Sequence, residues 1–492
     1  MIPVYSVSEI RKAEAERIAQ IGGEALMRQA ADAVVDQILL NYFEHVSPGD
    51  SPRRGRSGGG SAKEQQPDRI LFVVGSGNNG GDALYAAAKI LDTYGNRFQV
   101  CIWPCQGKMH AGGQAAVGDR ATFIGLRDLQ CYVEHSRVIV DGAFGIGARG
   151  GLTTELKHLK RLLDHETGKT VIAIDQPSGY VADSAASYES LPAHEIVTFG
   201  GRKISSGADL DESKDYGDVR VAKIGLALPK PTIFLAEKQD IADLWPVPTP
   251  DCDKYARGVV GVDTGSAQYP GAAVLGCLGA VYSGAGMVRY LGAAPVRAAL
   301  LTTAPSVVQN RGRVDAWVIG SGWGDRPREL PSAMDYLESE LPVVVDAGAI
   351  DQMPPQAHES ALLTPHYGEL ARLLGASRKE VAADPIESVR RAAAQTGATV
   401  LLKGGSQYVA RPDGQVYVPL HSNSWAGQAG AGDALAGVCG TLLAAGLEPW
   451  QAGLLAASIQ AFDTKLHANP RPPEEFCRAI PGVVDRLLRE SD

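Results

Sequence analysis

Short apolar segments alternate with amphipathic segments along the first half of the chain. Period-2 or continuous apolar patterns predict strands at 70–74, 98–103, 137–140, 170–174 and 196–199. Helical periodicity predicts helices within 1–30, near 115–123 and over 154–163. Strands that alternate with helices form a parallel sheet with helices on both faces, so this half predicts an α/β domain.

The second half repeats this alternation. Its apolar runs predict strands at 258–262, 287–291, 316–319, 343–345, 400–403 and 407–410. A charge-free stretch at 264–288 contains Pro270 and several glycines, so it predicts a glycine-rich turn and a buried helix to about Ser283 rather than a membrane span. We therefore predict a second α/β domain of about 240 residues.

Changes in composition mark a domain boundary and an insertion. Prolines at 229, 231, 246, 248 and 250 indicate a connector. The predicted domains are residues 1–235 and 236–492, which suits the length of the chain. Residues 47–68 are polar and rich in glycine and serine, which predicts a flexible surface insertion.

Composition and charge limit the kinds of binding partner and the cellular compartment that we expect for this chain. The net charge is −9, and the only basic cluster (Arg53, Arg54 and Arg56) lies in the insertion, which argues against nucleic acid and anionic membranes as partners. Apolar residues make up 45% of the chain, typical of a globular protein. The seven cysteines are scattered, and residues 1–30 lack a signal-peptide pattern, so we expect a cytoplasmic protein. Closed homo-oligomers are common among enzymes, and we expect one here.

Candidate chemistry in the first half lies where predicted strands end. The loop GSGNNGGD at 75–82 follows a strand and opens a helix, a geometry that binds anions and nucleotides. Asp141 and Asp175 each end a strand, where the crevice of a parallel sheet lies. The oxygens of Asn79, Asp141 and Ser178 suit an alkali or alkaline-earth cation. The structural alternative is a tight turn at 75–82 and turn-capping carboxylates.

The second half has its own glycine-rich turn before a helix, QAGAGDALAG at 428–437. Its free N–H groups suit a phosphate, and Asp433 can accept a proton from a substrate hydroxyl as a phosphoryl group moves. The alternative is an aspartate that caps a helix. Lys403 ends an apolar strand before two glycines, where it can reach a nucleotide phosphate. His366 is either a polar contact to substrate or a satisfied loop histidine.

Several motifs in order resemble one family, the bifunctional NAD(P)H-hydrate repair enzymes. The first half is similar to NAD(P)H-hydrate epimerase through GSGNNGGD at 75–82, VDGAFGIGARGG at 140–151, DQPSG at 175–179 and TFGGRK at 198–203. The second half is similar to ADP- or ATP-dependent NAD(P)H-hydrate dehydratases through GSAQYPGAA at 265–273, GSGWG at 320–324, TPHYGE at 364–369, LLKGG at 401–405 and QAGAGDALAG. The resemblance implies a Rossmann-like first domain and a ribokinase-like second domain. It also implies a function: the second half removes water from the S hydrate of NADH or NADPH, and the first interconverts the R and S hydrates.

In the first half, the resemblance implies a substrate site and a potassium site. Asp175 would contact the reacting ring, and potassium would bind Asn79, Asp141 and Ser178. The cofactor's phosphates and ribose would be held by Asn78, Asn79, Gly80, Gly81, Asp82, Gly145, Ile146, Gly147, Ala148, Arg149, Gly150 and Gly151.

In the second half, the resemblance implies that Asp433 is the base that deprotonates the hydrate's hydroxyl as it attacks the terminal phosphoryl group. ADP or ATP would be the donor, and magnesium is expected from the phosphoryl chemistry. The nucleotide contacts would be Lys403, Gly404, Gly405, Ser406, Gln407 and Gly432. The contacts to the hydrated cofactor would be Ala272, Gly324, His366 and Asp433.

The chain departs from the family pattern at a few positions. Ala83 stands where the family's NNGGDG has its last glycine, and Gly142 stands where VDA has alanine. Ser321 replaces the proline of GPG, Gly348 replaces the second aspartate of DAD, and Trp425 is a bulky residue before the last motif.

A second hypothesis fits the same motifs less completely. Ribokinase-like domains phosphorylate many alcohols, so the chain can instead be a small-molecule kinase with a non-catalytic, nucleotide-binding first domain. A kinase releases a stable phosphorylated product, whereas a repair enzyme releases phosphate and restores the absorbance of the reduced cofactor.

Overall fold

The computed structural model describes residues 1–44, 68–95, 97–148, 150–166, 168–184, 189–206 and 216–490. The predicted insertion at 47–68, except for its last residue, and Arg149 lie outside these ranges. The chain forms two compact units. One comprises Val4–Pro231, and the other comprises Thr232–Asp492 together with Met1–Pro3. Strand β1 (Ile2–Val4) accordingly lies in the sheet of the second unit.

The first unit is built on a seven-stranded sheet. Its strands are β2 (Asp68–Val74), β3 (Phe98–Pro104), β4 (Thr122–Phe123), β5 (Val138–Gly142), β6 (Thr170–Ile174), β7 (Glu195–Phe199) and β8 (Asp218–Ala222). Its helices are α1 (Val7–Ile21), α2 (Gly23–Glu44), α3 (Asn78–Tyr94), α4 (Ala111–Val117), α5 (Leu129–His135) and α6 (Thr154–Asp164). Every pairing is parallel, in the order β4-β3-β2-β5-β6-β7-β8. Counted within the unit this is 3-2-1-4-5-6-7, a Rossmann-like order whose crevice lies beyond the ends of β2 and β5.

Strand β2 shows why the apolar runs are continuous rather than alternating. Ile70, Phe72 and Val74 are buried in one cluster with residues of α2 and α3, whereas Leu71 and Val73 are buried in another with residues of α5 and α6. A strand covered by helices on both faces needs apolar side chains at every position.

Two sequence predictions in this unit are wrong in detail. The helix predicted near 115–123 ends at Val117, and residues 122–123 form β4, because Gly118 adopts a φ of +58° that ends the helix. The single helix predicted within 1–30 is two helices, broken at Gly22 with a φ of +86°. Strand β8 was not predicted; its half-exposed positions at the sheet edge give no continuous apolar signal.

The second unit is built on a ten-stranded sheet. Its remaining strands are β9 (Ile233–Leu235), β10 (Val259–Asp263), β11 (Met287–Tyr290), β12 (Ala316–Ile319), β13 (Val343–Val345), β14 (Ala361–Leu363), β15 (Thr399–Leu402), β16 (Tyr408–Ala410) and β17 (Val416–Val418). The order is β1-β9-β17-β16-β15-β14-β13-β12-β10-β11. Strands β10 to β15 pair in parallel, and β16 is antiparallel to both of its neighbours.

Helices cover this sheet as well. They are α7 (Lys238–Leu244), α8 (Pro270–Tyr282), α9 (Arg297–Thr303), α10 (Ala333–Glu338), α11 (Tyr367–Leu374), α12 (Arg378–Ala383), α13 (Pro385–Thr396), α14 (Ala431–Ala444), α15 (Pro449–Leu466) and α16 (Pro473–Glu490). The α/β class predicted for both halves is confirmed. The segment predicted as a connector contains β9 and α7, and the three-residue strands β14 and β17 were not predicted.

Helices α8 and α14 approach each other backbone to backbone. A Cβ at Gly437 would lie 2.0 Å from the Gly276 carbonyl oxygen, and one at Gly279 would lie 2.2 Å from that of Ala434. Only glycine permits this approach. Across the described ranges, none of the helices combines the length and the apolar character needed to cross a membrane.

Candidate functional sites

The first unit contains a cavity of about 720 Å³ at the predicted crevice. Its lining includes most of the residues predicted to bind the cofactor: Asn78, Asn79, Asp82, Gly145, Ile146, Gly147, Ala148, Gly150, Gly151 and Asp175. Gly80 and Gly81 are buried in the first turn of α3 instead. A Cβ at Gly80 would lie 2.1 Å from the Gly75 carbonyl oxygen, so this glycine allows α3 to pack against the loop that precedes it.

Asn79, Asp141 and Ser178, predicted as cation ligands, are joined by a buried hydrogen-bond network. The Ser178 hydroxyl donates to Asp141 Oδ1 at 2.7 Å, and the Ser178 backbone N–H donates to Asp141 Oδ2 at 2.7 Å. The Asn79 amide Nδ2 donates to the carbonyl oxygens of Phe144 and Ile174, both at 3.1 Å. Burial raises the pKa of Asp141, and its hydrogen bonds to Ser178 oppose that shift. The structure therefore joins Asp141 and Ser178 directly, and Phe144, whose N–H donates to Ser178 Oγ at 2.9 Å, links Asn79 to them.

Asp175 is held by a partner that the sequence did not reveal. The Lys203 ammonium forms a buried ion pair with Asp175 Oδ1, and the Thr198 hydroxyl donates to the same oxygen at 3.0 Å. Lys203 also donates to Thr198 Oγ1 at 2.7 Å and to the Phe199 carbonyl oxygen at 3.1 Å. Asp175 has a φ of +70°, an uncommon backbone conformation for aspartate that directs this side chain from a sharp turn after β6.

Helix α1 adds charged groups to the same cavity. Arg11 and Glu14 line it, although neither was predicted as a site residue. Burial and the Asp175 charge raise the pKa of Glu14, while Lys203 and Arg11 oppose that rise. Burial, with the charges of Asp175 and Glu14, raises the pKa of Asp82 well above its ordinary value.

In the second unit, Asp433 lies in the first turn of α14, after Gly430 with a φ of +92°. Burial and the charge of Asp346 raise the pKa of Asp433 to about 6, and the Lys403 ammonium opposes that shift. A Cβ at Gly432 would lie 3.1 Å from Lys403 Nζ, so the lysine reaches the start of the helix. The structure therefore brings the predicted base and the predicted phosphate-binding lysine together.

Asp346 anchors Lys403 beneath this turn. Lys403 Nζ donates to Asp346 Oδ1 at 2.6 Å, and Thr364 Oγ1 donates to the same oxygen at 2.7 Å. Ser321, which replaces the family's proline, donates its hydroxyl to Asp346 Oδ2 at 2.7 Å. Burial lowers the pKa of Lys403, but the carboxylates of Asp346, Glu369 and Asp433 together outweigh burial and raise it. Asp346 is the first aspartate of the family's DAD pattern, and the sequence does not reveal its anchoring role.

His366 caps α11. Its Nδ1 accepts hydrogen bonds from the backbone N–H groups of Gly368 and Glu369, both at 3.0 Å. This leaves Nε2 as the ring's protonated nitrogen, on a side chain that is 58% exposed. The backbone of His366 forms a parallel bridge with that of Lys403. His366 therefore both caps α11 and lies next to the lysine of the predicted nucleotide site.

The remaining predicted residues lie on nearby loops. A Cβ at Gly322 would lie 2.7 Å from Ala272 Cβ, and one at Gly324 would lie 2.8 Å from Tyr269 Cε2, so the turn at 320–324 packs on the start of α8. Within the described residues, Ser406 Oγ and Gln407 Oε1 are buried without a hydrogen-bond partner. Buried polar atoms of this kind are available to a ligand.

Comparison with known proteins identifies the family of each half. The profile described as YjeF-related protein N-terminus matches residues 23–205, and the profile described as NAD(P)H-hydrate dehydratase matches residues 260–471. A bifunctional NAD(P)H-hydrate repair enzyme of Mycobacterium leprae is 35% identical over 98% of this chain and 97% of its own length. An ADP-dependent (S)-NAD(P)H-hydrate dehydratase of Neisseria meningitidis is 33% identical over 49% of this chain and 84% of its own.

A solved structure and a second bifunctional relative are also similar. The ADP/ATP-dependent NAD(P)H-hydrate dehydratase of Bacillus subtilis, co-crystallised with ATP and Mg²⁺, is 26% identical with a TM-score of 0.47 and covers 52% of this chain and 98% of its own. The bifunctional repair enzyme of Corynebacterium glutamicum is 30% identical over 90% of this chain and 87% of its own. Because such similarity extends through both units, the chain belongs to the bifunctional NAD(P)H-hydrate repair enzymes.

Proposed function

We propose that this chain repairs hydrated NADH and NADPH by two reactions. Residues 1–235 interconvert the R and S hydrates, and residues 236–492 dehydrate the S hydrate with consumption of ADP or ATP and release of phosphate. The observation that carries the proposal is the similarity, over 98% of the chain, to a relative named as a bifunctional repair enzyme. The positions of the two matching profiles support the division of labour.

In the dehydratase unit, Asp433 takes the proton from the hydrate's hydroxyl as that oxygen attacks the terminal phosphoryl group. A pKa of about 6 suits a base that must be ionised near neutral pH and still accept a proton. The N–H groups at the start of α14 and the Lys403 ammonium stabilise the negative charge on the phosphoryl oxygens. Phosphate then leaves, and it is a much better leaving group than the unmodified hydroxyl.

The other predicted residues bind the two substrates. Gly404, Gly405, Ser406, Gln407 and Gly432 contact the nucleotide beside Lys403. Ala272, Gly324 and His366 contact the hydrated cofactor. The Nε2 of His366, 3.5 Å from Glu369 Oε1 on a side chain that is 58% exposed, is a hydrogen-bond donor for it. Magnesium accompanies the nucleotide phosphates, as in other phosphoryl transfers.

In the epimerase unit, the cavity holds the hydrated cofactor and Asp175 faces its reacting ring. Asn78, Asn79 and the loop 145–151 contact its phosphates and ribose. Gly80 and Gly81 form the helix start behind this contact, and Asp82 lines the same cavity. Potassium would bind the oxygens of Asn79, Asp141 and Ser178, where it would order the loops that follow β2, β5 and β6. These residues fit a hard cation, because the Asn79 amide nitrogen is engaged by two carbonyls and its oxygen is left for a ligand.

An absorbance assay tests both activities. The purified chain receives a mixture of R and S NADH hydrates with magnesium, potassium and either ADP or ATP. Recovery of NADH absorbance beyond the S fraction, faster than spontaneous epimerisation, supports both reactions and identifies the donor. Recovery that stops at the S fraction contradicts the epimerase assignment. A stable phosphorylated product without NADH recovery would support the kinase alternative instead.

The proposal extends to setting and assembly. We place the enzyme in the cytoplasm, where NADH and NADPH are hydrated. We also expect it to form a symmetric homo-oligomer. Light scattering of the purified chain measures the assembly, and a molar mass equal to that of one 492-residue chain would contradict it.

A further inference from the structure

Two aspartates face the epimerase cavity in opposite electrostatic environments. Asp175 has a cation against it, since Lys203 pairs with its Oδ1, and Thr198 donates to the same oxygen. Both members of this ion pair are buried, with 9% and 2% of their side chains exposed. A buried lysine in contact stabilises the carboxylate form of an aspartate.

Asp82 lines the same cavity without such a partner. Its residue is 8% exposed, and within the described residues its carboxyl group receives no hydrogen bond and no ion pair. It lies in the second turn of α3, beyond the four free N–H groups of the helix start. The charged groups that act on it are the carboxylates of Asp175 and Glu14. A carboxyl in this position favours its neutral, protonated form.

Glu14 is the third carboxyl group at the cavity. It differs from Asp82 because two cations act on it, Lys203 and Arg11, and both favour its ionised form. It also lies on α1 and is only partly buried. Glu189, the fourth carboxyl group at the cavity, is paired with Lys157 at 2.8 Å, and 48% of its side chain is exposed. Of the four, Asp82 is therefore the one whose surroundings hold a proton most strongly.

We propose that Asp82 is the general acid and Asp175 the general base of epimerisation, with Lys203 as the positioning residue that holds the base through its ion pair. This inference rests on the proposed epimerase function and names the proton-transfer groups of that site. Carboxyl groups whose environments separate their protonation states are the usual arrangement for paired acid and base catalysis.

The chemistry of the hydrate fits such a pair. Its hydroxyl is on a carbon bonded to the ring nitrogen. Asp82 donates its proton to the hydroxyl oxygen, the C–O bond breaks, water leaves, and the nitrogen lone pair forms a C=N bond. Water then adds to the opposite face, a new C–O bond forms as the C=N electrons return to nitrogen, and Asp175 accepts the proton. One water leaves and one enters, and proton exchange with solvent restores both carboxyl groups.

The test compares Asp82→Asn with Glu14→Gln, a matched neutralisation at the same cavity. With pure R hydrate as substrate, D82N is expected to lower kcat for epimerisation by at least about 100-fold, the contribution of a general acid, while KM stays within about threefold. The decline of the wild-type rate at high pH, where Asp82 ionises, is lost in D82N. E14Q is expected to retain the rate within about threefold and to keep that decline.

Two further measurements separate the possible failures. Dehydration of pure S hydrate by the same D82N preparation should equal that of the wild type, and its unfolding temperature should be unchanged, because asparagine is isosteric with a neutral aspartic acid. Infrared difference spectra of wild type and D82N at neutral pH should show the C=O stretch of one protonated carboxylic acid. A wild type that does not epimerise refutes the proposed function as well. A wild type that epimerises while D82N is unaffected, or E14Q alone is impaired, refutes only the assignment of Asp82.

Discussion

Ala83 and Gly142 depart from the family pattern in opposite senses, and the structure places them face to face. A Cβ at Gly142 would lie 2.6 Å from Ala83 Cβ and 3.1 Å from the Asn79 carbonyl oxygen. Non-bonded carbon atoms prefer about 3.5–4.0 Å. Ala83 is fully buried, so α3 can yield only by moving away from β5. The chain has one methyl group at this contact, on the helix instead of the strand.

The perturbation is Gly142→Ala, which adds the second methyl. Overpacking of this size costs about 1–3 kcal/mol. Ala83→Gly alone costs about 1 kcal/mol from the helical propensity of glycine, and more from the space left behind. The double variant A83G/G142A restores a single methyl, so we expect it within about 1 kcal/mol of the wild type. The expected coupling energy is about 1–3 kcal/mol.

Scanning calorimetry of the full chain measures the transition of the first unit, in which each kcal/mol shifts Tm by about 2–4 °C. Epimerisation is assayed in parallel, because α3 begins with Asn78 and Asn79 and its displacement moves them. Gly125→Ala is the matched control, since its Cβ would meet only Asp128 Oδ2 at 3.8 Å. Additive shifts for the two single changes, or a G142A variant as stable as G125A, would refute the reasoning.

Three further predictions concern charged groups. Asp433→Asn is expected to abolish dehydration and to stabilise the second unit at pH 7 by up to about 3 kcal/mol. The pKa of Asp433 is about 6 in the folded state against an ordinary 3.8, so the charged aspartate makes folding less favourable as pH rises between those values. Thermal unfolding at pH 4 and pH 7 should show the gain in stability only at pH 7. The kcat/KM for dehydration should fall tenfold per pH unit below about pH 6. Asp346→Asn should shift this acidic decline to lower pH, because the Asp346 charge raises the pKa of Asp433. A decline that stays at the same pH in the variant contradicts this electrostatic cause. Lys203→Met should destabilise the first unit by about 3–5 kcal/mol by leaving Asp175 buried and unpaired, and K203M/D175N should recover most of that loss in urea unfolding.

The elements that the sequence predicts well are those with both faces buried. Strand β2 and its neighbours are continuous apolar runs, and the polar residues that follow them, such as Asp175, mark the crevice because parallel strands end at one edge. Edge strand β8 and the three-residue strands β14 and β17 carry too little pattern to be recognised without their partners.

The sequence predicts many of the residues that the fold brings together at each site, but it does not predict the side chains that pair with them. Lys203 follows Asp175 by 28 positions, and only the fold makes them an ion pair. Asp346 and Lys403 lie 57 positions apart, and their pairing depends on where β13 and β15 end. Pairwise contacts of this range have no signal in a single sequence, whereas glycine-rich turns and strand ends do.

The first strand of the chain has a consequence for how the protein is made. Residues 1–3 belong to the unit formed by residues 232–492, and β1 lies beside β9 at the edge of that unit's sheet. During synthesis β1 emerges before the first unit, whereas its neighbour β9 follows only after that whole unit has been translated. The first unit can fold before β1 pairs with β9. The loop between these two strands is long, but closing it costs little more entropy than closing a shorter loop, because the cost grows only logarithmically with loop length. The edge of the second sheet is therefore completed by a strand that is synthesised before the entire first unit.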